Sequence, residues 1–178
     1  MINKYSCINI HENKKKNSKL SSQILYGEKF TILKRYKDWY KIKTSYDKYI
    51  GFIKKKKFES CVYKPTHKVS SLKAKVFLKP NKTSKVRMKL SFTSLIQVKS
   101  SNKGFLNFDN YWIQKSNVVP LSYKEKTFQR IKIFRNVKYK WGGKKFDGVD
   151  CSGLIQLFYK FNNLYCPRDT GPQFKYFK

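Results

Sequence analysis

Apolar residues in the first 120 positions of this chain recur in short alternating stretches broken by polar turns, which limits what the segment can fold into. Residues 39–44 (WYKIKT) alternate with period two, the pattern of a strand with one buried face. Residues 22–33 begin apolar, pass a turn at Gly27 and Glu28, and resume as an alternating strand. Residues 49–53 (YIGFI) make another short strand, and Gly51 in its middle predicts a bend or bulge. Short strands at this spacing predict a small barrel.

A second segment, residues 69–120, repeats the plan. Residues 73–78 (KAKVFL) and 95–99 (LIQVK) alternate, Pro80 and Asn81 turn the chain, and residues 104–108 and 111–113 close it. The likeness between the segments is architectural, since the pieces around Trp39 and Trp112 match only loosely. Residues 63–68 (YKPTHK) read as a linker. From Ser122 the period changes. Ser122 with Glu125 three residues on has capping-box spacing, and Phe128, Ile131 and Phe134 recur at helical spacing, predicting a helix that ends near Asn136. A loop with Gly142, Gly143 and Gly148 follows. Then Leu154, Leu157, Phe158 and Phe161 fall on one face of a helix that begins at Cys151. The expected division is 1–60, 61–121 and 122–178.

Composition excludes some classes. With 40% hydrophobic and 17% aromatic residues, the 178-residue chain is too apolar to be disordered. No apolar run could span a membrane, and residues 1–10 lack the apolar region of a signal peptide. A cytoplasmic location is the expectation, or the cell envelope if a signal lies upstream. The net charge is +31, from 41 basic residues of which only Arg35, Arg87, Arg130, Arg135 and Arg168 are arginines. Lysines spread over a chain rich in Asn, Ile, Tyr and Phe fit an AT-rich coding bias. Attraction to polyanions is the functional alternative. With few arginines and no recognised motif, no specific nucleic-acid partner is expected. Cys7, Cys61, Cys151 and Cys166 form no Cys-x-x-Cys pair, and His11 and His67 are the only histidines. Neither a zinc site nor a disulfide framework is expected, nor any cofactor.

One cysteine stands apart. Cys151 opens a helix, where the positive end of the helix dipole and free backbone N–H groups favour the nucleophilic thiolate. A glycine-rich loop precedes it, and Asp150, Ser152 and Gly153 flank it. The run Tyr139-Lys140-Trp141-Gly142-Gly143, then Asp150-Cys151-Ser152-Gly153-Leu154, then Pro167-Arg168-Asp169-Thr170 with Gln173, closely resembles the ordered blocks of the NlpC/p60 cysteine peptidases. The front half resembles the two bacterial SH3-like domains that precede the peptidase in one branch of that family, through Ser22-Gln23, Leu25-Tyr26-Gly27-Glu28 and Asp47, Tyr49, Gly51, Phe52. That branch includes γ-D-glutamyl-L-diamino-acid endopeptidases, which cut murein stem peptides bearing a free N-terminal L-Ala.

The resemblance implies a multi-domain chain: two all-β SH3-like barrels followed by the N-terminal helical part of an α+β papain-like domain whose sheet is largely missing. It implies Cys151 as nucleophile, Tyr139 as hydroxyl donor to the oxyanion, Asp150 and Ser152 as ligands of the substrate's amine, and Glu28 and Tyr49 as the far wall of the pocket. The remaining residues of the motif receive structural readings: Trp141, Gly142 and Gly143 shape the loop, Arg168 and Asp169 form an ion pair beside the site, and Cys7, Cys61 and Cys166 are small fillers. In the family a histidine downstream of the cysteine completes the site, and here none follows Cys151. The expectation is therefore a C-terminally truncated, inactive monomer whose partner is a murein stem peptide, with Leu154, Leu157, Phe158 and Phe161 partly exposed. The alternative is a non-catalytic SH3-like module that binds peptidoglycan.

Overall fold

The computed structural model describes residues 1–178, and its mostly β architecture ends in two helices. The first module comprises β1 (Cys7–His11), β2 (Leu20–Leu25), β3 (Phe30–Arg35), β4 (Trp39–Thr44) and β5 (Ile50–Lys54), an antiparallel sheet in the order β2-β1-β5-β4-β3. Side chains alternate across a strand, and the inward set from Ile8, Ile10, Ile24, Phe30, Tyr40, Ile42 and Ile53 makes its core. Gly51 pairs regularly with Ile42, so no bulge forms there. The irregularities lie between Ile10 and His11 and between Ile32 and Lys34. Gly51 instead permits close approach, because a Cβ at that position would run into the Ile10 side chain.

The second module comprises β6 (His67–Val69), β7 (Lys73–Phe77), β8 (Val86–Ser91), β9 (Leu95–Ile96), β10 (Ser100–Asn102), β11 (Phe105–Phe108), β12 (Tyr111–Gln114) and β13 (Val118–Pro120). These form a five-stranded sheet, β10-β11-β12-β7-β8, and a three-stranded one, β13-β6-β9. The expected strand at 95–99 is only two residues long. The expected linker is not a free tether. His67 and Lys68 lie in β6, and the buried Tyr63 hydroxyl donates to the Leu95 carbonyl and accepts from the Gln97 N–H, both at 3.1 Å. Tyr26, from the first module, enters the second module's core edge-on to Phe108, and its hydroxyl donates to Asp109. One buried aromatic thus joins two cores that the sequence reads as separate.

Residues 122–137 do not form the expected α-helix. They hold one short 3₁₀ turn, Ile131–Phe134. Phe128 sits at φ +69°, which an α-helix excludes, and this turns its ring onto Phe158, with centroids 5.5 Å apart. Glu125 does not cap. Its carboxylate accepts from Arg130 Nε at 2.7 and 2.9 Å, and its N–H donates to Asn162 Oδ1. Beyond the short hairpin β14 (Lys144–Lys145) and β15 (Gly148–Val149) come α1 (Cys151–Phe161) and α2 (Thr170–Phe177).

The apolar face of α1 is covered, against expectation. Leu157, Phe158 and Phe161 are buried and Leu154 is partly buried. The covering surface comes from the β-modules. Leu25 and Phe92 join Phe134 and Val149 in one cluster, and Phe92 stacks on Phe161 at 4.7 Å. Each such side chain contributes about 1.5–3 kcal/mol on burial. Lys68 adds a polar tie. Its buried ammonium donates to the carbonyls of Leu121 (3.1 Å), Tyr123 (2.6 Å) and Phe161. Exposed aromatics lie instead on α2, at Phe174, Tyr176 and Phe177, and in the loop before α1, at Tyr139 and Trp141. No helix is long and apolar enough to cross a membrane.

Candidate active site

Asp150 is the N-cap of α1. Its Oδ1 accepts from the Gly153 N–H at 2.7 Å, which satisfies one of the donors a helix start leaves open. Cys151 follows as the first helical residue, with its side chain exposed. The glycine-rich loop reaches back to the same carboxylate, since the Gly142 N–H donates to Asp150 Oδ2 at 2.8 Å. Gly142 adopts φ +70°, and a Cβ there would lie 2.7 Å from Leu20 Cγ and 2.8 Å from the Leu20 carbonyl oxygen. Only glycine lets the loop lie against β2 in this way. The Lys144 N–H then donates to the buried Gln23 Oε1 at 2.7 Å, fixing the loop to the first module.

Asp150 is heavily engaged. The Arg168 guanidinium contacts both its oxygens, at 3.0 Å through Nη1 and 2.7 Å through Nη2. With the two backbone donors, about four acceptor positions of the carboxylate are taken. Arg168 also donates to Ser152 Oγ at 2.9 Å and Ser22 Oγ at 3.0 Å. The expected Arg168–Asp169 ion pair is therefore replaced by an Arg168–Asp150 pair, because Arg168 points into the interior behind the cysteine. Gln173 locks the same corner, donating to the Ser152 carbonyl at 2.9 Å and the Pro167 carbonyl at 2.8 Å.

A cleft of about 300 Å³ opens in front of the thiol. It is lined by Glu12, Ser21, Tyr49, Tyr139, Trp141, Asp150, Cys151, Ser152, Asp169 and Thr170. The structure thus brings together Cys151, Tyr139, Asp150, Ser152 and Tyr49 from the expected set. Tyr139 is 65% exposed, so its hydroxyl is free to turn toward a bound group. Burial pushes the Tyr49 hydroxyl pKa up, which keeps it a neutral donor. Trp141 also lines the cleft and is 64% exposed.

Glu28 does not belong to this cleft. It is buried at the turn after β2, where Oε2 accepts from the Leu25 N–H at 2.6 Å and Oε1 pairs with the buried Lys160 of α1. Burial raises its pKa, but the charges of Lys160 and Lys144 outweigh that and hold the carboxyl below its ordinary value. The pair ties the turn after β2 to α1.

Glu12 and Asp169 supply acidity that the sequence reading did not assign to the pocket. Neither forms an ion pair. Burial pushes the Asp169 carboxyl up, against the Arg168 charge. The usable signal was scarcity: the chain has only 10 acidic residues, and Glu12 stands next to a lysine run. Three of those acids line this cleft, and no lysine or arginine does.

The remaining candidates are dispersed. His11 lies in β1, where Nδ1 is 3.0 Å from the Ser18 carbonyl and the ring packs edge-on to Trp39. His67 lies in β6 beside Thr66. Neither lines the Cys151 cleft. Cys166 is buried as a small filler, whereas Cys61 is exposed and fills nothing.

Residues 10–58 match the bacterial dipeptidyl-peptidase Sh3 domain, and residues 136–178 match the NlpC/P60 family. Two curated proteins named gamma-D-glutamyl-L-lysine dipeptidyl-peptidase are homologous to the chain. The one from Bacillus subtilis (strain 168) is 28% identical over 88% of this chain and 58% of its own length. The one from Bacillus cereus (strain ATCC 10987 / NRS 248) is 25% identical over 88% of this chain and 54% of its own length. The chain therefore spans a little over half of these relatives. Among solved structures, an NlpC/P60 family protein from Bacillus cereus ATCC 10987 superposes with a TM-score of 0.71 at 22% identity, over 88% of this chain and 59% of that one.

Proposed function

We propose that this chain, which joins an SH3-like domain to an NlpC/P60 segment and is homologous to γ-D-glutamyl-L-lysine dipeptidyl-peptidases, provides the nucleophile and the amine-recognition pocket of a cysteine peptidase acting on peptidoglycan stem peptides. The second β-module is read as a further SH3-like domain. The bond cut is the one between γ-D-Glu and the diamino acid, in peptides with a free N-terminal L-Ala. The observation that carries this reading is the composition of the Cys151 cleft. In a chain of net charge +31, the exposed thiol shares its pocket with Glu12, Asp150 and Asp169 and with no basic residue. Such a pocket suits an ammonium group, by charge and by hydrogen bonding.

The roles follow from position. The Cys151 sulfur attacks the γ-carbonyl carbon, forming a thioester as the diamino acid's amine departs with a proton. Tyr139 donates to the oxygen that becomes negative. The terminal ammonium of L-Ala sits among Glu12, Asp169, Ser152 and Tyr49, and Asp150 contributes charge already shared with Arg168. A preference for a short N-terminus is part of this reading, and it is supported by Glu12, Ser21 and Tyr49 of the first module lining the cleft.

The proton steps need a base. Neither His11 nor His67 reaches the cleft, so within residues 1–178 the thiol has no imidazole partner. We accordingly propose that these residues bind the peptide but turn it over poorly on their own. The test is binding and thiol-dependent cleavage of L-Ala-γ-D-Glu-diaminopimelate by the 178-residue chain. Binding is expected to weaken strongly when the peptide is N-acetylated or when Glu12 and Asp169 are replaced by Gln and Asn. Equal binding of the acetylated peptide overturns the amine pocket. Robust turnover abolished by Cys151→Ala overturns the requirement for a further base.

A further inference from the structure

A second cleft, of about 410 Å³, shares walls with the first and has the opposite charge. It is lined by Lys16, Lys54, Lys56, Lys140 and Lys145, together with His11 and the amides of Asn9 and Gln23, and by no carboxylate. The two clefts use the same β1–β2 hairpin and the same loop. Glu12 and Ser21 line the acidic cleft while Asn9, His11 and Gln23 line the basic one. Tyr139 and Trp141 face the first, and Lys140 between them faces the second.

We propose that this basic cleft is a binding site for a compact, multiply charged phosphate, of the oligophosphate class. A general excess of lysine does not account for it. That excess is spread over the chain, whereas here five lysines converge on one concavity, and the neighbouring cleft contains none. Lys16, Lys54 and Lys140 form no ion pair, and Lys145 has only the half-exposed Asp147, at 2.8 Å. Lys56 lies over the Tyr5 ring at 4.7 Å. The site therefore holds several uncompensated positive charges at short range, which a single carboxylate would leave mostly unbalanced. A phosphate chain carrying several charges balances them, and lysine ammonium groups act on phosphate as mobile point charges. The floor is rigid. Gln23 Nε2 donates to Asn9 Oδ1 at 2.8 Å, and Gln23 Oε1 is held by the Lys144 N–H. A ligand bridging Lys54 of β5 to Lys140 and Lys145 of the loop would clamp the loop to the first module.

The test is calorimetric titration of the 178-residue chain with sodium tripolyphosphate at about 150 mM salt, where interactions between well-separated surface charges are screened. One saturable site is expected. The variant K54Q/K140Q/K145Q is expected to weaken it about tenfold or more, while K79Q/K82Q/K85Q, which removes equal charge from the distant β7–β8 turn, changes it less than about twofold. Similar weakening by both variants, or non-saturating uptake of several ligands, overturns the proposal by making the binding non-specific. Should the first triple variant fail to show a native thermal transition, the single variants K54Q and K140Q decide. Each is expected to weaken binding about threefold, and no change in either sinks the site.

Discussion

Arg168 grips both carboxylate oxygens of Asp150, the residue immediately before Cys151, at 3.0 and 2.7 Å. The pair is buried, and it fixes the start of α1 and the Gly142 turn through one carboxylate. Replacing Arg168 by Leu leaves that charge buried with backbone donors but no cationic partner. The expected loss of stability is about 3–5 kcal/mol, with partial recovery in Arg168→Lys, which restores charge but not the fork. Urea denaturation of the two variants checks it.

Glu28 is expected to be a stability residue. Glu28→Gln strands Lys160 in the interior, at a cost of about 3–5 kcal/mol. Because Lys160 and Lys144 hold the Glu28 carboxyl below its ordinary value despite burial, its contribution is present above an unfolded carboxyl value of about 4.3 and is lost as pH falls through the lower folded value. The variant should therefore show a weaker acid dependence of stability than the parent below pH about 4.3. Alkylation of Cys151 by iodoacetamide should be unchanged under native conditions, since Glu28 does not line its cleft. A large change in that rate would return Glu28 to the site.

The four thiols should divide two and two. Cys61 and Cys151 are exposed and should react quickly with an aromatic disulfide, while Cys166 is buried and Cys7 partly so. Burial pushes Cys7 up to about 12 and Cys166 up to about 11. Both raise stability below the unfolded thiol value of about 8.5, and the contribution is lost as pH climbs toward those folded values. Lys68 acts in the opposite direction, because burial lowers it to about 8 and the native chain releases that proton first. A Cys7→Ala/Cys166→Ala variant should therefore lose less stability than the parent between pH about 9 and 11, as read by chemical denaturation.

Lys68→Met keeps the stem of the side chain and removes the donors to Leu121, Tyr123 and Phe161. Up to three carbonyls lose a partner at the seam between the second module and α1. The expected cost is about 1–3 kcal/mol, and amide exchange should rise in α1 more than in β3 or β4, which lie in the other core.

Strands such as β4 and β7 and the cysteine helix were legible because each carries its own period, whereas β1 and β8 were not singled out. WYKIKT alternates over its whole length, and Leu154, Leu157, Phe158 and Phe161 share one helical face. What failed was whatever depended on distant partners. The spacing of Phe128, Ile131 and Phe134 suggested a helix, but Phe128 adopts positive φ to reach Phe158. The α1 face was expected to lack a partner, yet Phe92 and Leu25 cover it. Glu28 looked like a pocket residue until Lys160 appeared across from it. Glu12 was missed for the same reason, since no local pattern tells which wall of a cleft a hairpin carboxylate will form.

The Glu28–Lys160 pair also has a history within synthesis. The two residues are 132 positions apart, so a ribosome working at about 5–20 residues per second adds Glu28 roughly 7–26 s before Lys160. During that interval Glu28 is a hydrated carboxylate on a solvent-facing turn, and the surface that will receive α1 is wet. The nascent first module therefore waits in an unfinished form. The final tightening of its β2–β3 turn waits until α1 arrives and displaces water from both charges.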